Sequence, residues 1–177
     1  MKEIFILRHA KSSWNNINLS DFERPLAKRG INDANTMCDY LSKNSFSVDK
    51  VLCSNATRTK ETLDIISDGI EFEISDARYT DDLYFKGLDK ILGYLRKIDE
   101  ETKSILIIGH NPTLHFLIET LTKEHIHKFA TCNMAIINFN NNWKNLSEGE
   151  CKLELIIKPK EITVSYTHLT LPTTCSV

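Results

Sequence analysis

Residues 105–121, Ile-Leu-Ile-Ile-Gly-His-Asn-Pro-Thr-Leu-His-Phe-Leu-Ile-Glu-Thr-Leu, contain the pattern that decides the fold. Four consecutive aliphatic residues at 105–108 are typical of a strand buried on both faces of a sheet. Apolar residues then recur at intervals of three and four over 113–121, which indicates a helix. Because Asn111 is a good helix N-cap and Pro112 suits a first helical turn, we expect a tight strand-to-helix turn here.

The same two patterns alternate along the rest of the chain. Short aliphatic or β-branched runs predict strands at residues 4–7, 50–53, 135–139 and 153–157, with a weaker candidate at 72–74. Apolar periodicity predicts further helices at residues 31–41, 57–66 and 88–98. Strands that alternate with helices predict an α/β fold, here a three-layer α/β/α sandwich with a mostly parallel central sheet.

The composition is that of one globular domain with a sizeable core: 177 residues, of which 41% are hydrophobic and 26% charged. A formal charge of -2 provides no basic stripe, so we expect no nucleic-acid partner. The apolar run before Arg8 is too short for a signal peptide or a membrane span, and we expect neither. Five widely spaced cysteines without a CxxC pair predict a reducing, cytoplasmic environment.

The last segment, residues 164–177 (VSYTHLTLPTTCSV), stands apart because it is uncharged and has no periodicity. It resembles the translation of a transposon-end sequencing adapter that is read through in frame. We therefore expect a folded domain over residues 1–163 and a non-native tail over 164–177, with a disordered native tail as the alternative. His168 and Cys175 are accordingly left out of the functional candidates.

Three predicted strand ends carry residues suited to binding and attacking phosphate. Arg8 and His9 follow the first strand, Arg58 lies in the first turn of the helix after the second, and His110 follows the third. Ligands of such sheets bind beyond the carboxyl ends of the strands. Arginine offers a fork for phosphate oxygens, and a neutral imidazole can attack phosphorus. Each residue alone could be a surface or structural group, but their coincidence at three strand ends favours a phosphate site.

Four motifs occur in order along the chain. They are Arg8-His9-Ala10-Lys11-Ser12 with Trp14-Asn15, Arg24-Pro25-Leu26 with Lys28-Arg29-Gly30, Ser54-Asn55-Ala56-Thr57-Arg58 with Thr62, and Gly109-His110-Asn111-Pro112. Together they closely resemble the histidine phosphatase superfamily, and most closely its small phosphohistidine phosphatases of the SixA type. The resemblance extends over about residues 1–160 and implies the phosphoglycerate mutase-like form of the sandwich.

The resemblance also implies roles for individual residues. His9 would be the nucleophile that becomes phosphorylated, and Arg8, Arg58 and His110 would form the phosphate pocket. Asn15 and Ser12 would help to bind the substrate. Water would then hydrolyse the phosphoenzyme, with no cofactor and no metal ion.

The general acid is not assigned in this scheme, since many relatives carry it as a carboxylate in the segment between the third and fourth of these motifs. Asp81 and Asp82 lie in that segment, but they also fit an exposed acidic helix start. A phosphoramidate has an easily protonated leaving group and needs less help from an acid. The short chain also leaves little room for a lid, so we expect a monomer that acts on a histidine-phosphorylated protein. The alternatives are a small phosphorylated substrate, hence a phosphomonoesterase, and a non-catalytic phosphohistidine-binding protein.

Two other kinds of site are less compatible with the sequence. Cys53 and Arg58 are separated by four residues, whereas the cysteine-dependent phosphatases need five, so we expect Cys53 to be a buried structural residue. His110, His115, His125 and His127 cluster in the second half of the chain, but their spacing matches no compact zinc motif. We expect all of them except His110 to be bystanders.

Overall fold

The structure is a computed structural model that describes residues 1–162; the predicted tail at 164–177 lies outside the described residues. The strands are β1 (Lys2–Arg8), β2 (Phe46–Ser47), β3 (Lys50–Ser54), β4 (Ile70–Glu71), β5 (Arg78–Thr80), β6 (Ser104–Gly109), β7 (Met134–Phe139) and β8 (Cys151–Ile157). The α-helices are α1 (Lys28–Lys43), α2 (Thr57–Ile66), α3 (Leu88–Leu95) and α4 (Thr113–Thr122).

Six strands form the central sheet in the order β5-β3-β6-β1-β7-β8. The first four are parallel to one another, whereas β7 is antiparallel to both β1 and β8. Side chains of β1 alternate between two hydrophobic cores, one on each face of the sheet. Ile4 and Ile6 pack with α3 and α4 on one face, while Phe5 and Leu7 pack with α1 and α2 on the other. The predicted three-layer sandwich with a mostly parallel sheet is confirmed.

Helix α4 begins where the sequence places it, but its N-terminus differs in detail. Leu114, Leu117, Ile118 and Leu121 are buried, and such burial stabilises the fold by about 1.5–3 kcal/mol per side chain. Pro112 occupies the N-cap position, so the expectation that Asn111 caps the helix is wrong. The Asn111 side chain instead donates to the carbonyl oxygen of Phe129 at 2.8 Å.

Two other predicted elements differ from the structure. Residues 72–74 do not form a strand, because Phe72 and Ile74 pack against the core from an irregular segment that includes a short 3₁₀ turn. The short strands β4 and β5 flank this segment instead. Helix α3 ends at Leu95 rather than at Ile98; Ile98 continues the apolar pattern because it is buried, although it lies beyond the helix.

The segment between β1 and α1 closes on itself at residues 11–13 and 25–27. Ser13 N donates to Pro25 O at 2.8 Å, and Ala27 N donates to Lys11 O at 2.8 Å. A Cβ atom on Gly30 would lie 2.1 Å from Lys11 O, so only glycine allows α1 to approach this closely. We call the closed segment between these bonds, residues 14–24, the 14–24 loop.

Two further observations concern residues 1–162. None of their helices is both long and apolar enough to cross a bilayer. Cys38, Cys53, Cys132 and Cys151 are free thiols in this part of the chain.

Candidate active site

The structure brings Arg8, His9, Arg58 and His110 together at one edge of the sheet. Strands β1, β3 and β6 are adjacent and parallel, so the residues that follow them meet at the same edge. The ring centroids of His9 and His110 are 5.1 Å apart, and Arg58 Nε lies 3.3 Å from His9 Nε2.

The His9 ring is held in one orientation by its hydrogen bonds. Its main-chain N donates to Gly109 O at 3.1 Å, and its Nδ1 lies 2.7 Å from Ala10 O. A carbonyl oxygen only accepts, so Nδ1 carries the proton and Nε2 keeps its lone pair. Arg58 Nε–H donates to that lone pair.

His9 is a neutral imidazole in this environment. Burial is the largest cause and lowers its pKa to about 3, and the charges of Arg58 and Arg8 act in the same direction. The hydrogen bond to Ala10 opposes the shift without cancelling it. At neutral pH the imidazole of His9 therefore carries one proton, on Nδ1, and a neutral imidazole can act as a nucleophile.

Arg58 is buried in the first turn of α2, and all three of its nitrogens are engaged. Besides Nε, Nη2 donates to Asp21 Oδ2 at 3.0 Å and Nη1 donates to the main-chain oxygen of Asp21. The guanidinium thus lies between the imidazole of His9 and the carboxylate of Asp21, which fixes its plane.

Asp21 was missed in the sequence analysis. Its carboxylate also accepts from Arg24 Nη1 at 2.7 Å and from the Tyr84 hydroxyl at 2.6 Å. Burial opposes its ionisation, but the hydrogen bonds from Tyr84 and Arg24 and the charge of Arg58 prevail and lower its pKa to about 2. Asp21 is therefore a carboxylate that orients two arginines.

A local sequence signal could have drawn attention to Asp21. Ser20 and Glu23 form a capping box, in which the Glu23 carboxylate accepts from Ser20 N at 3.0 Å and from Ser20 Oγ at 2.7 Å. This pattern marks an ordered turn directly before the Arg24-Pro25 motif. It places Asp21 in that turn, although it cannot show that Arg58 is its partner.

Two buried nitrogens of the pocket have no hydrogen-bond partner within the described chain. They are Arg8 Nε and His110 Nδ1. Each residue is anchored by another atom: Arg8 Nη1 donates to Phe129 O at 2.9 Å, and His110 Nε2 lies 2.9 Å from Ser54 Oγ. Burial, followed by repulsion from a protonated His9 and from the charge of Arg58, lowers the pKa of His110 to about 3. Since buried polar atoms are normally paired, these nitrogens are suited to an anionic ligand.

Aromatic side chains form one wall of the pocket. The Tyr84 ring packs edge-on against His110 with a centroid distance of 5.2 Å, and the Phe85 ring lies 5.5 Å from His110. Phe22 packs against Tyr84 at 5.0 Å. These contacts bury one side of His110 and contribute to its neutrality.

The other residues singled out in the sequence are placed differently. Ser12 is buried and its Oγ accepts from Arg24 Nη2 at 2.7 Å, whereas Asn15 is exposed in the 14–24 loop. Asp81 and Asp82 open a short 3₁₀ turn, where they pair with Asn55 at 2.9 Å and Lys86 at 3.3 Å. In the described part of the chain neither carboxylate bonds to the four pocket residues.

Cys53 and the outlying histidines are not part of the pocket. Cys53 is fully buried in β3, and burial raises the pKa of its thiol, so it is not a thiolate nucleophile. His115 Nε2 and His125 Nδ1 both contact Glu119 Oε1, at 3.3 and 2.7 Å. Among residues 1–162, no three or more His, Cys, Asp or Glu side chains are arranged to hold a metal ion.

The chain is similar in sequence and in fold to known proteins. An uncharacterised protein of Mycobacterium leprae is 31% identical over 87% of this chain and 100% of its own length. The phosphohistidine phosphatase SixA of Escherichia coli K12 is 26% identical over 86% of this chain and 97% of its own. A structure of the protein histidine phosphatase SixA with tungstate superimposes with a TM-score of 0.79 at 23% identity, over 90% of this chain and 99% of the other.

The family model for the histidine phosphatase superfamily, branch 1, matches residues 4–83. That range contains Arg8, His9 and Arg58, and the full-length relatives extend the similarity beyond the segment that carries His110. The chain belongs to the histidine phosphatase superfamily.

Proposed function

We propose that the protein is a phosphohistidine phosphatase, which removes the phosphoryl group from a histidine of a protein substrate. The observation that carries this proposal is the arrangement of the His9 ring. Its Nδ1 donates to Ala10 O at 2.7 Å, which leaves the Nε2 lone pair free of a proton beside the Arg58 guanidinium. His9 is thus the nucleophile, and Arg8, Arg58 and His110 bind the phosphoryl oxygens.

Two displacements at phosphorus complete the reaction. First, the lone pair of His9 Nε2 forms a bond to phosphorus while the bond from phosphorus to the substrate imidazole breaks. That imidazole takes a proton from solvent and leaves neutral. Water then attacks the phosphorylated His9 and loses a proton, the P–N bond breaks, Nε2 regains its lone pair, and phosphate departs.

Arg58 changes partner during the first step. Its Nε–H lies 3.3 Å from the lone pair that must attack phosphorus, and an imidazole nitrogen has one such pair. A phosphoryl oxygen is a stronger acceptor for a guanidinium than a neutral nitrogen. Arrival of the phosphoryl group therefore draws the Arg58 Nε–H from Nε2 to an oxygen and releases the nucleophile.

The carboxylates of this region favour a phosphoramidate substrate over a phosphate ester. Asp21 has a pKa of about 2, so it holds no proton to donate near neutral pH. Asp81 and Asp82 pair with Asn55 and Lys86 on the surface. A leaving imidazole is readily protonated by solvent, whereas an alkoxide needs a placed acid.

The test is phosphate release from a protein phosphorylated on histidine, measured beside release from an alkyl phosphate. Both rates are also measured with the His9→Ala variant, which reports non-enzymatic hydrolysis of the labile P–N bond. We expect fast release from the phosphoprotein that depends on His9, and little release from the ester. This preference follows from the lack of a protonated carboxylate at His9.

Two other results would contradict the proposal. Faster hydrolysis of the ester would identify a phosphomonoesterase and return Asp81 and Asp82 to consideration as proton donors. Binding of the phosphoprotein without phosphate release would identify a phosphohistidine-binding protein. Detection of phosphorylated His9 would separate an enzyme from a protein that only binds. An enzyme that uses the two displacements passes through an acid-labile phosphoenzyme, whereas a binding protein does not.

A further inference from the structure

Trp14, in the 14–24 loop, is held in place and yet is exposed to solvent. Its side chain is 69% exposed, and the Arg24 guanidinium carbon lies 3.2 Å from its ring centroid. Arg24 itself is buried and fixed by Ser13 O at 2.9 Å, in addition to its bonds to Ser12 and Asp21. The indole is thus an ordered apolar surface that the core does not use.

Phe85 shows the same combination of order and exposure. Its ring is 52% exposed and packs on Tyr84 at 4.7 Å as well as on His110. Its φ angle is 55°, in the left-handed region that a bulky residue adopts only at an energetic cost. Such strain in an exposed aromatic residue indicates a function for its position.

Phe85 contacts the proposed active site directly, and Trp14 is linked to it through two intervening residues. Trp14 contacts Arg24, and Arg24 binds the Asp21 carboxylate. Asp21 in turn binds Arg58, which lies beside His9. Phe85 contacts the site from the segment after β5, through His110. The 14–24 loop adds a third apolar group, Ile17, whose side chain is 93% exposed. We call Trp14, Ile17 and Phe85 the apolar rim.

We propose that the apolar rim binds apolar side chains that flank the phosphohistidine of a protein substrate. This inference rests on the proposed function and adds the part of the substrate that lies outside the pocket. The Arg8, Arg58 and His110 cluster recognises the phosphoryl group, which is the same in every phosphohistidine. Discrimination between phosphoproteins therefore falls to the surface around it.

The chemistry of the apolar rim fits a polypeptide. Rigid aromatic side chains are typical binding anchors, because they contribute large contact areas with little loss of rotamer freedom. Trp14 is immobilised by a buried arginine and Phe85 by ring contacts, so neither has to be ordered by the substrate. A charged rim would instead have favoured acidic or basic flanking residues.

The test uses two synthetic peptides, each with one phosphohistidine. One has leucines at the third and fourth positions on either side of it, and the other has serines there. Phosphoramidate serves as a substrate without flanking residues. kcat/KM is measured for all three with the full chain and with the variants Trp14→Ala, Ile17→Ser and Phe85→Ala. Leu155→Ala is the matched control, since Leu155 is a 47% exposed residue of the edge strand β8.

We expect the wild-type protein to prefer the leucine peptide by at least about tenfold, the effect of one well-buried anchor. Each rim variant should reduce this preference, mainly through KM, while Leu155→Ala should retain it. Ile17→Ser protects the test from misfolding, because that side chain is almost fully exposed. Thermal unfolding of each variant provides the same check for Trp14 and Phe85.

The outcomes separate this inference from the proposed function. Equal kcat/KM for the two peptides, with His9-dependent hydrolysis of both, would overturn the role of the apolar rim and leave the phosphatase intact. A preference that survives all three rim substitutions would also overturn it. No hydrolysis of the peptides or of phosphoramidate would instead contradict the proposed function and, with it, the inference that rests on it.

Discussion

Within residues 1–162, two places bring two histidines together, and they differ in what surrounds the imidazoles. His9 and His110 are buried 5.1 Å apart among arginines. His115 and His125 share the carboxylate of Glu119, and the side chain of His125 is 85% exposed. Burial beside cations keeps the imidazoles of His9 and His110 neutral. In the proposed mechanism the first pair supplies the nucleophile and a phosphate-binding residue, whereas the second pair has no catalytic role.

The largest expected difference between the two places lies in turnover. His9→Ala should abolish phosphate release and the acid-labile phosphoenzyme, because the proposed mechanism uses the Nε2 lone pair of His9 to attack phosphorus. His115→Ala should leave kcat/KM within about twofold of wild type, since surface substitutions have small effects. Steady-state kinetics and acid-quenched phosphoenzyme assays measure both quantities. Comparable turnover by purified His9→Ala protein would rule out His9 as the nucleophile.

Removal of the buried cation should have the next largest effect. Arg58→Ala should lower kcat/KM by about 10²–10³-fold, the usual consequence of losing one preorganised donor to the transition state. Thermal unfolding should show that the fold persists. Arg29→Ala is the matched control, because Arg29 is an exposed arginine that pairs only weakly with Asp33 at 3.8 Å. Similar kinetics for the two variants would remove Arg58 from the phosphate pocket.

Acid should lower the free energy of unfolding because His9 and His110 are buried as neutral imidazoles. The pKa values of His9 and His110 are about 3 in the folded protein and 6.5 without its environment. The unfolded chain therefore binds more protons between these pH values, so the free energy of unfolding rises with pH. The contribution is complete above about pH 6.5 and is lost towards pH 3, on the order of 5 kcal/mol per histidine.

Urea unfolding between pH 7 and pH 4 measures this dependence. His9→Asn and His110→Asn should each flatten it, because asparagine does not titrate. An unchanged slope in both variants would show that other groups cause the acid sensitivity. Asp21 contributes in a separate window, since its lowered pKa of about 2 means that its stabilisation is lost only below the ordinary value of 3.8.

A smaller effect on kcat/KM is expected from Asp21, the carboxylate that orients the Arg58 guanidinium. Asp21→Asn should lower kcat/KM roughly tenfold, because the Arg58 guanidinium loses a charge-assisted bond that fixes its plane. Asp81→Asn and Asp82→Asn should stay within about twofold of wild type, since their partners lie outside the pocket. Steady-state kinetics on a phosphohistidine peptide compares the three. A larger loss in Asp81→Asn than in Asp21→Asn would reverse these assignments.

The smallest effect on turnover and stability is expected from a substitution at Glu119, which contacts His115 and His125. Glu119→Gln should leave turnover unchanged and shift Tm by no more than about 3 °C. A glutamine oxygen can still accept the hydrogen bond that Ile126 N makes to Glu119 Oε1 at 3.0 Å. Scanning calorimetry measures the shift. A large loss of activity would mean that this cluster communicates with the pocket, contrary to the comparison above.

The long elements could be predicted from the sequence because each follows its own periodicity. Residues 105–108 and 113–121 are apolar for reasons of burial, and both are found within a few residues of the expected bounds as β6 and α4. The strands β4 and β5 were missed because two or three residues carry no period, and pairing with neighbouring strands determines them. The strand predicted at residues 72–74 was wrong because an apolar run does not require a strand. These apolar side chains cover a core from an irregular segment.

The candidate site also contains residues that the sequence pattern predicts and residues that only the folded chain reveals. Arg8, His9, Arg58 and His110 could be placed together because each follows a strand of one parallel sheet. Asp21 and Tyr84 reach the pocket from segments without a strong pattern, and only the folded chain shows that they meet. Ser12 contacts Arg24, and Asn15 is exposed in the 14–24 loop. Their proposed contact with substrate, like the catalytic roles of the other four, stays a prediction.

The closed base of the 14–24 loop bears on how such a protein could diverge. Bonds between residues 11–13 and 25–27 hold the two ends of the loop together, and Gly30 locks α1 against Lys11. Lengthening a loop whose ends are already fixed costs little, about 0.6 kcal/mol per doubling of its length. Insertions or replacements among the exposed residues 15–18 can therefore accumulate without displacing His9. In the proposed scheme, residues 15–18 can change what the protein binds while Asp21 and Arg24, in the same loop, keep Arg58 oriented.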